Sequence, residues 1–373
     1  MNDSEEDMFE LEAEREIEDE LDEITHPFDP TKVRVDPKPI TIDALCSRIS
    51  HNEINLSPKY QRFDDIWTEE AQSRLIESLL IRIPLPAFYV DASEDNYWQV
   101  IDGLQRMTTL KKYIVQKDMK LKKLEFLKEL EGAGFNDLHR QFQRRILETQ
   151  ITLYAIQPGT PRDVKFNIFK RVNTGGRPLT AQEIRHAIYQ GRATELLESI
   201  SKSRGYRTSP AALKETRMED RELILRYFTY LRLDPENLKA ESLDKRLNDT
   251  MHEWLNKFDE SGIEKLRSVF FKSLNCLIEI FGDFAFRRPG SHSKKRHPPI
   301  NKPLFEAWMV NIASLDDGQC ELLISKSDEM NQKFNELVSN DSFMSSIYQG
   351  TGRPSNVKIR FSTIKHLINE VME

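Results

Sequence analysis

The sequence predicts an α+β protein, an α/β domain followed by a mainly helical one. Three observations carry that expectation. Short β-branched and aromatic runs, bounded by proline, glycine or polar turns, alternate with helix-period segments as far as Pro161; beyond it the strand signal fades and helical spacing dominates. The length of 373 residues fits two domains of ordinary size. Charge is also unevenly placed: residues 1–24 hold thirteen acids against one base, Arg15, so a chain of net charge −7 consists of an acidic leader and a body of +5. The expected organisation is an acidic, disordered tail over residues 1–26, an α/β domain over 27–190 and a helical domain over 191–373.

The elements follow in order. In the leader, Phe9, Leu11, Ile17, Leu21 and Ile24 sit among good helix formers, but like charges at i and i+4 oppose a helix unless a basic partner neutralises them. The prolines of His26-Pro27-Phe28-Asp29-Pro30 and Pro37-Lys38-Pro39 predict an extended approach to the domain. Ile42–Ile49 reads as a helix and Ile54–Leu56 as a strand. Thr68 suits an N-cap and Glu69 and Glu70 the first turn of a helix whose inward face is Leu75, Ile76, Leu79, Leu80 and Ile83, with Pro84 and Pro86 ending it. Ala87–Val90 and Trp98–Ile101 read as strands across a polar turn, a helix follows Asp102-Gly103, and Ile151–Ile156 is a further strand. Val164–Val172 is helical, Asn173-Thr174-Gly175-Gly176 a tight loop, and Thr180-Ala181-Gln182-Glu183 a capping box opening a helix that runs to Gly191.

Several classes are excluded. With 38% hydrophobic and 31% charged residues the composition is that of a globular chain, neither fibrous nor membrane-embedded. No N-terminal segment joins a basic start to an apolar run. Cys46, Cys276 and Cys320 are odd in number and widely spaced, which argues against a disulfide framework or a zinc ribbon and points to a reducing cytoplasm. No G-x-x-x-x-G-K-[ST] segment supports a P-loop, and no His-Asn-His nuclease cluster stands out in the C-terminal half.

The sharpest chemical feature is Val100-Ile101-Asp102-Gly103-Leu104-Gln105-Arg106. An apolar strand delivers an acid, a glycine permits a tight turn, and a helix begins whose first turn carries Gln105 and Arg106. Such a joint offers free N–H groups and a positive helix end to a phosphate, with Arg106 as a bidentate clamp; the alternative is an ordinary strand–turn–helix joint with an exposed arginine. Gln61 and Arg62 follow Pro58, where Arg62 can reach a neighbouring loop or pair with Glu53 or Asp64. The Asn173–Gly176 loop, flanked by Arg171 and Arg177, suits an anion nest or a plain helix–helix turn. On the following helix Glu183 is assigned to capping with Thr180, and His186 to an interface. Arg287, Arg288, Lys294, Lys295, Arg296 and Lys302 form a basic run without an acid, suited to a nucleic-acid backbone, to the acidic leader or to solvent. His292 and His297 in that run lack the Cys or carboxylate partners of a metal site.

Taken together, Tyr60-Gln61-Arg62, Trp67, Leu75-Ile76-Glu77-Ser78-Leu79, Pro84-Leu85-Pro86, Asp102-Gly103-Leu104-Gln105-Arg106 and Phe169-Lys170-Arg171-Val172-Asn173-Thr174-Gly175-Gly176 occur in the order found in the N-terminal domain of GmrSD-type restriction systems. Over roughly residues 40–190 the sequence resembles that family. The resemblance implies a ParB/sulfiredoxin-like fold and a nucleotide-binding domain, NTP-hydrolysing in some members, that serves anti-phage or restriction-type defence. It implies Asp102, Gln105 and Arg106 as catalytic residues, and Gln61, Arg62, Gly103, Arg171, Asn173, Thr174, Gly175 and Gly176 as nucleotide- or phosphate-binding residues. Its cofactor is an NTP with magnesium, and Asp102 is either a ligand of that ion or the partner that fixes Arg62 or Arg106. The family signature reads Asp-Gly-Gln-Gln-Arg, whereas position 104 here is Leu, so hydrolysis turns on whether the missing glutamine positions water. The expected function is a nucleotide-binding regulatory or NTPase subunit working with a separately encoded nuclease. The alternative is a non-hydrolysing DNA-sensing adaptor that recruits such a nuclease; an intrinsic nuclease ranks lowest.

Overall fold

The computed structural model describes residues 33–56, 67–94, 97–172, 179–213, 217–288 and 298–373. The acidic leader, Gln61 and Arg62, the Asn173–Gly176 loop, Arg177, His292, Lys294, Lys295, Arg296 and His297 lie outside the described residues. The chain divides into two units, Phe28–Ile188 and Tyr189–Glu373.

The first unit is built on a five-stranded mixed sheet in the order β1-β5-β3-β4-β2. Its strands are β1 (Val35–Thr41), β2 (Ile54–Asn55), β3 (Phe88–Asp91), β4 (Trp98–Asp102) and β5 (Gln150–Ile156). β5 pairs antiparallel with β1 and parallel with β3, β3 pairs antiparallel with β4, and β4 runs parallel to β2. β1 corrects the sequence reading, in which its residues were only an extended approach. It pairs along its full length, from Val35 opposite Ile156 to Thr41 opposite Gln150. Its prolines are tolerated because an edge strand leaves alternate N–H groups unpaired, and Pro37 and Pro39 fall on those positions.

Helices α1 (Ile42–Ser50), α2 (Glu69–Leu80) and α3 (Leu104–Leu110, continued by a π-turn over Lys111–Gln116) supply the apolar layer on one face of the sheet. Phe88, Val90, Val100 and Leu153 from the strands and Ile42, Leu45, Ile76, Leu79, Met107 and Leu110 from the helices form one buried cluster. The starts of α1 and α2 follow local capping rules: Thr41 Oγ1 accepts from Ala44 N–H at 3.2 Å and Thr68 Oγ1 from Ala71 N–H at 3.3 Å. The end of α2 departs from expectation. The helix stops at Leu80, Arg82 turns left-handed at φ +65°, and Ile83 N–H returns to the Ser78 carbonyl at 2.8 Å, which leaves Ile83 49% exposed and off the inward face.

Helices α4 (Arg140–Leu147), α5 (Arg162–Val172) and α6 (Ala181–Ile188) complete the unit. The capping box opening α6 is formed: Thr180 N–H donates to Glu183 Oε2 at 2.7 Å and Glu183 N–H to Thr180 Oγ1 at 3.2 Å. α6 ends at Ile188 and does not reach Gly191; that glycine, at φ +128°, precedes the helix Arg192–Ser201.

The second unit is helical among the described residues. Its long helices Glu219–Arg232, Glu260–Phe281, Lys302–Ala313 and Pro354–Met372 bury Tyr227, Phe228, Phe270 and Trp308. Fully buried Glu306 accepts from Arg226 Nε and, at 2.7 Å, from Arg360 Nη2, linking three of these helices through charge-assisted hydrogen bonds. All three cysteines are buried and unbridged. Among the described residues no helix is long and apolar enough to cross a membrane.

Glu77 shows how a motif residue serves the fold. Its carboxylate, 2% exposed on α2, accepts N–H groups from Glu125 at 2.9 Å, Phe126 at 2.7 Å and Leu127 at 2.8 Å, fastening the loop that follows α3. Burial alone would raise its pKa; the three backbone donors, helped by Arg74, outweigh that and hold it below the usual carboxylate range. Replacing Glu77 with Ala leaves three donors without an acceptor and is expected to destabilise the protein by about 2–3 kcal/mol in urea unfolding. A depressed carboxyl contributes stability above its unfolded pKa, near ~4.3, and loses it as pH falls through the lower folded value. The difference between wild type and Glu77→Gln should therefore be full at neutral pH and shrink below about pH 4.

Candidate functional site

The Asp102–Arg106 run forms the joint between β4 and α3. Gly103 sits at φ +95°, a conformation other residues adopt at a cost, and a Cβ there would lie 2.5 Å from Phe88 Cδ1 and 3.2 Å from Arg106 Nη2. Glycine is thus required twice, by backbone angle and by packing. Arg106 folds back beneath the turn. Its Nη2 meets Asp102 Oδ2 at 3.0 Å and the Ala87 carbonyl at 3.1 Å, its Nη1 donates to the Pro86 carbonyl, and its guanidinium stacks 4.4 Å over the Phe88 ring. The residue is 8% exposed. The expected surface clamp is therefore committed to four partners of its own fold.

Burial pushes the Asp102 carboxyl upward, and the charge of Arg106, the Gly103 N–H and the hydrogen bond from Arg106 oppose that shift. Burial likewise draws Arg106 down while Asp102 holds it up; guanidinium basicity keeps the arginine charged regardless. Leu104 faces the apolar cluster and is 8% exposed, so the departure from the glutamine signature falls on a side chain that completes the core. Gln105 is half-buried, and its Oε1 accepts the Trp67 N–H at 3.2 Å. No side chain caps the start of α3.

The sheet face turned away from the core carries residues that the sequence reading did not single out. Tyr89 on β3 stands opposite Tyr154 on β5, with rings 4.9 Å apart and nearly parallel at 17°, and opposite Asp102 on β4. One row further along, Asp91 is held by Lys165 Nζ of α5 at 2.8 Å and by the Ser93 hydroxyl, which Lys165 also contacts. The alternation in Phe88-Tyr89-Val90-Asp91 signals that Tyr89 and Asp91 share a face; nothing local signals Lys165, which lies 74 residues away.

Other expected residues are placed as follows. Arg171 is exposed at the end of α5, next to the 173–176 loop. Glu183, Arg185 and His186 are each no more than 2% exposed; Arg185 bonds Gln182 Oε1 at 3.2 Å and lies 5.5 Å over the Phe166 ring. Arg287 is 6% exposed and donates to the Asp283 carbonyl at 2.9 Å and to the Pro298 carbonyl, while Arg288 stacks 5.1 Å from the Tyr348 ring. Arg287 is thus committed to backbone carbonyls of its own unit. Among the described residues no three His, Cys, Asp or Glu side chains converge as a metal site.

The model of the GmrSD restriction endonuclease N-terminal domain matches residues 43–190. This segment is a GmrSD N-terminal domain. No curated protein and no solved structure gave a significant match. The domain's signature Asp102, Gly103 and Arg106 form one packed joint in this chain, and its Leu75–Leu79 motif carries the loop-holding Glu77.

Removing Arg106 strands a half-buried Asp102 and two carbonyls. Arg106→Ala is expected to lower stability by about 3 kcal/mol in urea unfolding. Arg106→Lys should recover only part of it, since an ammonium cannot reproduce the fork between Asp102, Pro86 and Ala87. Wild-type stability in Arg106→Ala would show that the guanidinium carries no structural load.

Proposed function

We propose that the GmrSD N-terminal domain of this chain binds a nucleoside triphosphate at the Asp102–Gly103 joint, as the nucleotide-responsive component of a restriction-type defence system. The observation that carries the reading is the joint itself: a left-handed glycine turns β4 directly into a helix with no side-chain cap, between the half-buried Asp102 and Gln105. Two further observations support it. Gln105 accepts the N–H of Trp67, which lies five residues after Arg62 in the sequence. Arg171 is exposed where α5 leads into the Asn173–Gly176 loop.

In this reading the roles divide. Asp102, Gly103 and Arg106 hold the joint, the uncapped start of α3 meets the phosphates, and Arg62 with Arg171 supplies the positive charge that Arg106 has committed elsewhere. Asp102 directs one oxygen to Arg106 and has no companion acids forming a described metal cluster, so magnesium is assigned to the nucleotide's phosphates and not to a protein cage. DNA cleavage belongs to a separately encoded nuclease that the nucleotide state controls. The family's restriction-endonuclease description supports the defence role.

Purified full-length protein is titrated with ATP, GTP, CTP and UTP plus magnesium, with unfolding stability and phosphate release both recorded. At one hundred times its Kd the bound triphosphate should stabilise the fold by about 2.7 kcal/mol. Arg62→Ala should abolish that gain. Stabilisation without phosphate release identifies a sensor, and release identifies an NTPase. The absence of stabilisation by all four nucleotides would overturn the proposal.

A further inference from the structure

We propose that Tyr89 and Tyr154 form the platform on which the base of that nucleotide stacks, an inference that rests on the proposed triphosphate site and assigns its other end. The two rings are 4.9 Å apart and within 17° of parallel. They lie on the sheet face opposite the apolar cluster, because Phe88 and Val90, the neighbours of Tyr89 along β3, are fully buried on the core side. Both tyrosines are only half-buried. A stacked aromatic pair packed for stability alone is most effective in the interior; this one is only half-buried.

Its placement links it to the joint. Tyr154, Tyr89 and Asp102 occupy one cross-strand row over β5, β3 and β4. Two strand spacings separate the ends of that row, about 10 Å, which is the reach of a nucleotide from base to phosphate. A base lying on the tyrosines therefore leaves its phosphates at the first turn of α3, beside the half-buried Gln105. The neighbouring row is closed to a ligand, since Asp91 is occupied by Lys165 and Ser93 and the Gln99 amide donates to the Ala187 carbonyl at 3.4 Å. Burial, with Tyr154 and Asp102 nearby, raises the Tyr89 pKa, so its phenol stays neutral at physiological pH and presents an uncharged ring and an O–H donor. Every base has a π-face, so such a platform binds bases with little discrimination among them.

The test separates base from phosphate. Full-length wild type, Tyr154→Leu, Tyr154→Phe and Tyr89→Phe are titrated by calorimetry with ATP and with inorganic tripolyphosphate, and with 2-aminopurine riboside triphosphate, whose emission is quenched on stacking. The expected result is a loss of about 10-fold in ATP affinity for Tyr154→Leu, within the range of one base–aromatic stack. Tripolyphosphate affinity should be unchanged, the quench should be lost, and both phenylalanine variants should behave as wild type. Thermal unfolding of each variant verifies the fold, and the conservative Phe variants keep the test valid if Tyr154→Leu is unstable, because a quench absent from wild type refutes stacking by itself. Equal loss of ATP and tripolyphosphate affinity, or no loss of either, overturns the platform while leaving the triphosphate site standing. A wild type that binds neither overturns both, and a single-stranded oligonucleotide that binds more tightly than any triphosphate reassigns the tyrosines to DNA and overturns the nucleotide assignment.

Discussion

The ion pair between Asp102 and Arg106, closed across a left-handed glycine, is the interaction on which the α/β unit's functional edge depends. One guanidinium fastens three pieces of chain: the end of β4 through Asp102, the approach to β3 through the Pro86 and Ala87 carbonyls, and the core through the Phe88 ring. Gly103 must be a glycine because Phe88 and Arg106 fill the space a Cβ would take. The Asp-Gly-x-x-Arg pattern is accordingly a packing unit first. A buried pair of this kind adds little net stability over apolar alternatives, yet breaking it is severe, so its value lies in holding one geometry.

That commitment changes how the joint can act on an anion. In the proposed triphosphate site an arginine facing inward would give positive potential and fixed shape, and direct contacts would fall to other groups. Leu104 fits the same logic: its side chain belongs to the core, and the polar group presented at the joint is Gln105. The row Asp102–Tyr89–Tyr154 then extends the joint across the sheet and gives a single surface with a polar end and an aromatic end.

Features decided within a few residues were legible in the sequence. Thr41, Thr68 and the Thr180–Glu183 box cap their helices because a hydroxyl or carboxylate three residues away meets a free N–H, a rule local enough to read directly. The α+β division and four of the five strands followed from periodicity. What escaped was nonlocal or set by a subtle backbone choice. β1 is a strand only because β5, more than a hundred residues later, pairs with it. Ile83 left its helix because Arg82 adopts a left-handed conformation. Lys165 finds Asp91, and Glu77 holds the loop at residues 125–127, through tertiary contacts that leave no local trace. At the candidate site the sequence located the joint and offered the pairing of Asp102 with Arg106 as one alternative, but not the burial of the arginine, since helical spacing places Arg106 on the same side as Asp102 without saying whether that side is wet or buried.

A crystal structure of the full chain with a non-hydrolysable nucleoside triphosphate and magnesium tests the central claim most directly. The account predicts that Arg106 stays on Asp102, Pro86 and Ala87, and that the phosphates are met by the first turn of α3. A triphosphate gripped by Arg106 with the Asp102 pair broken would contradict it.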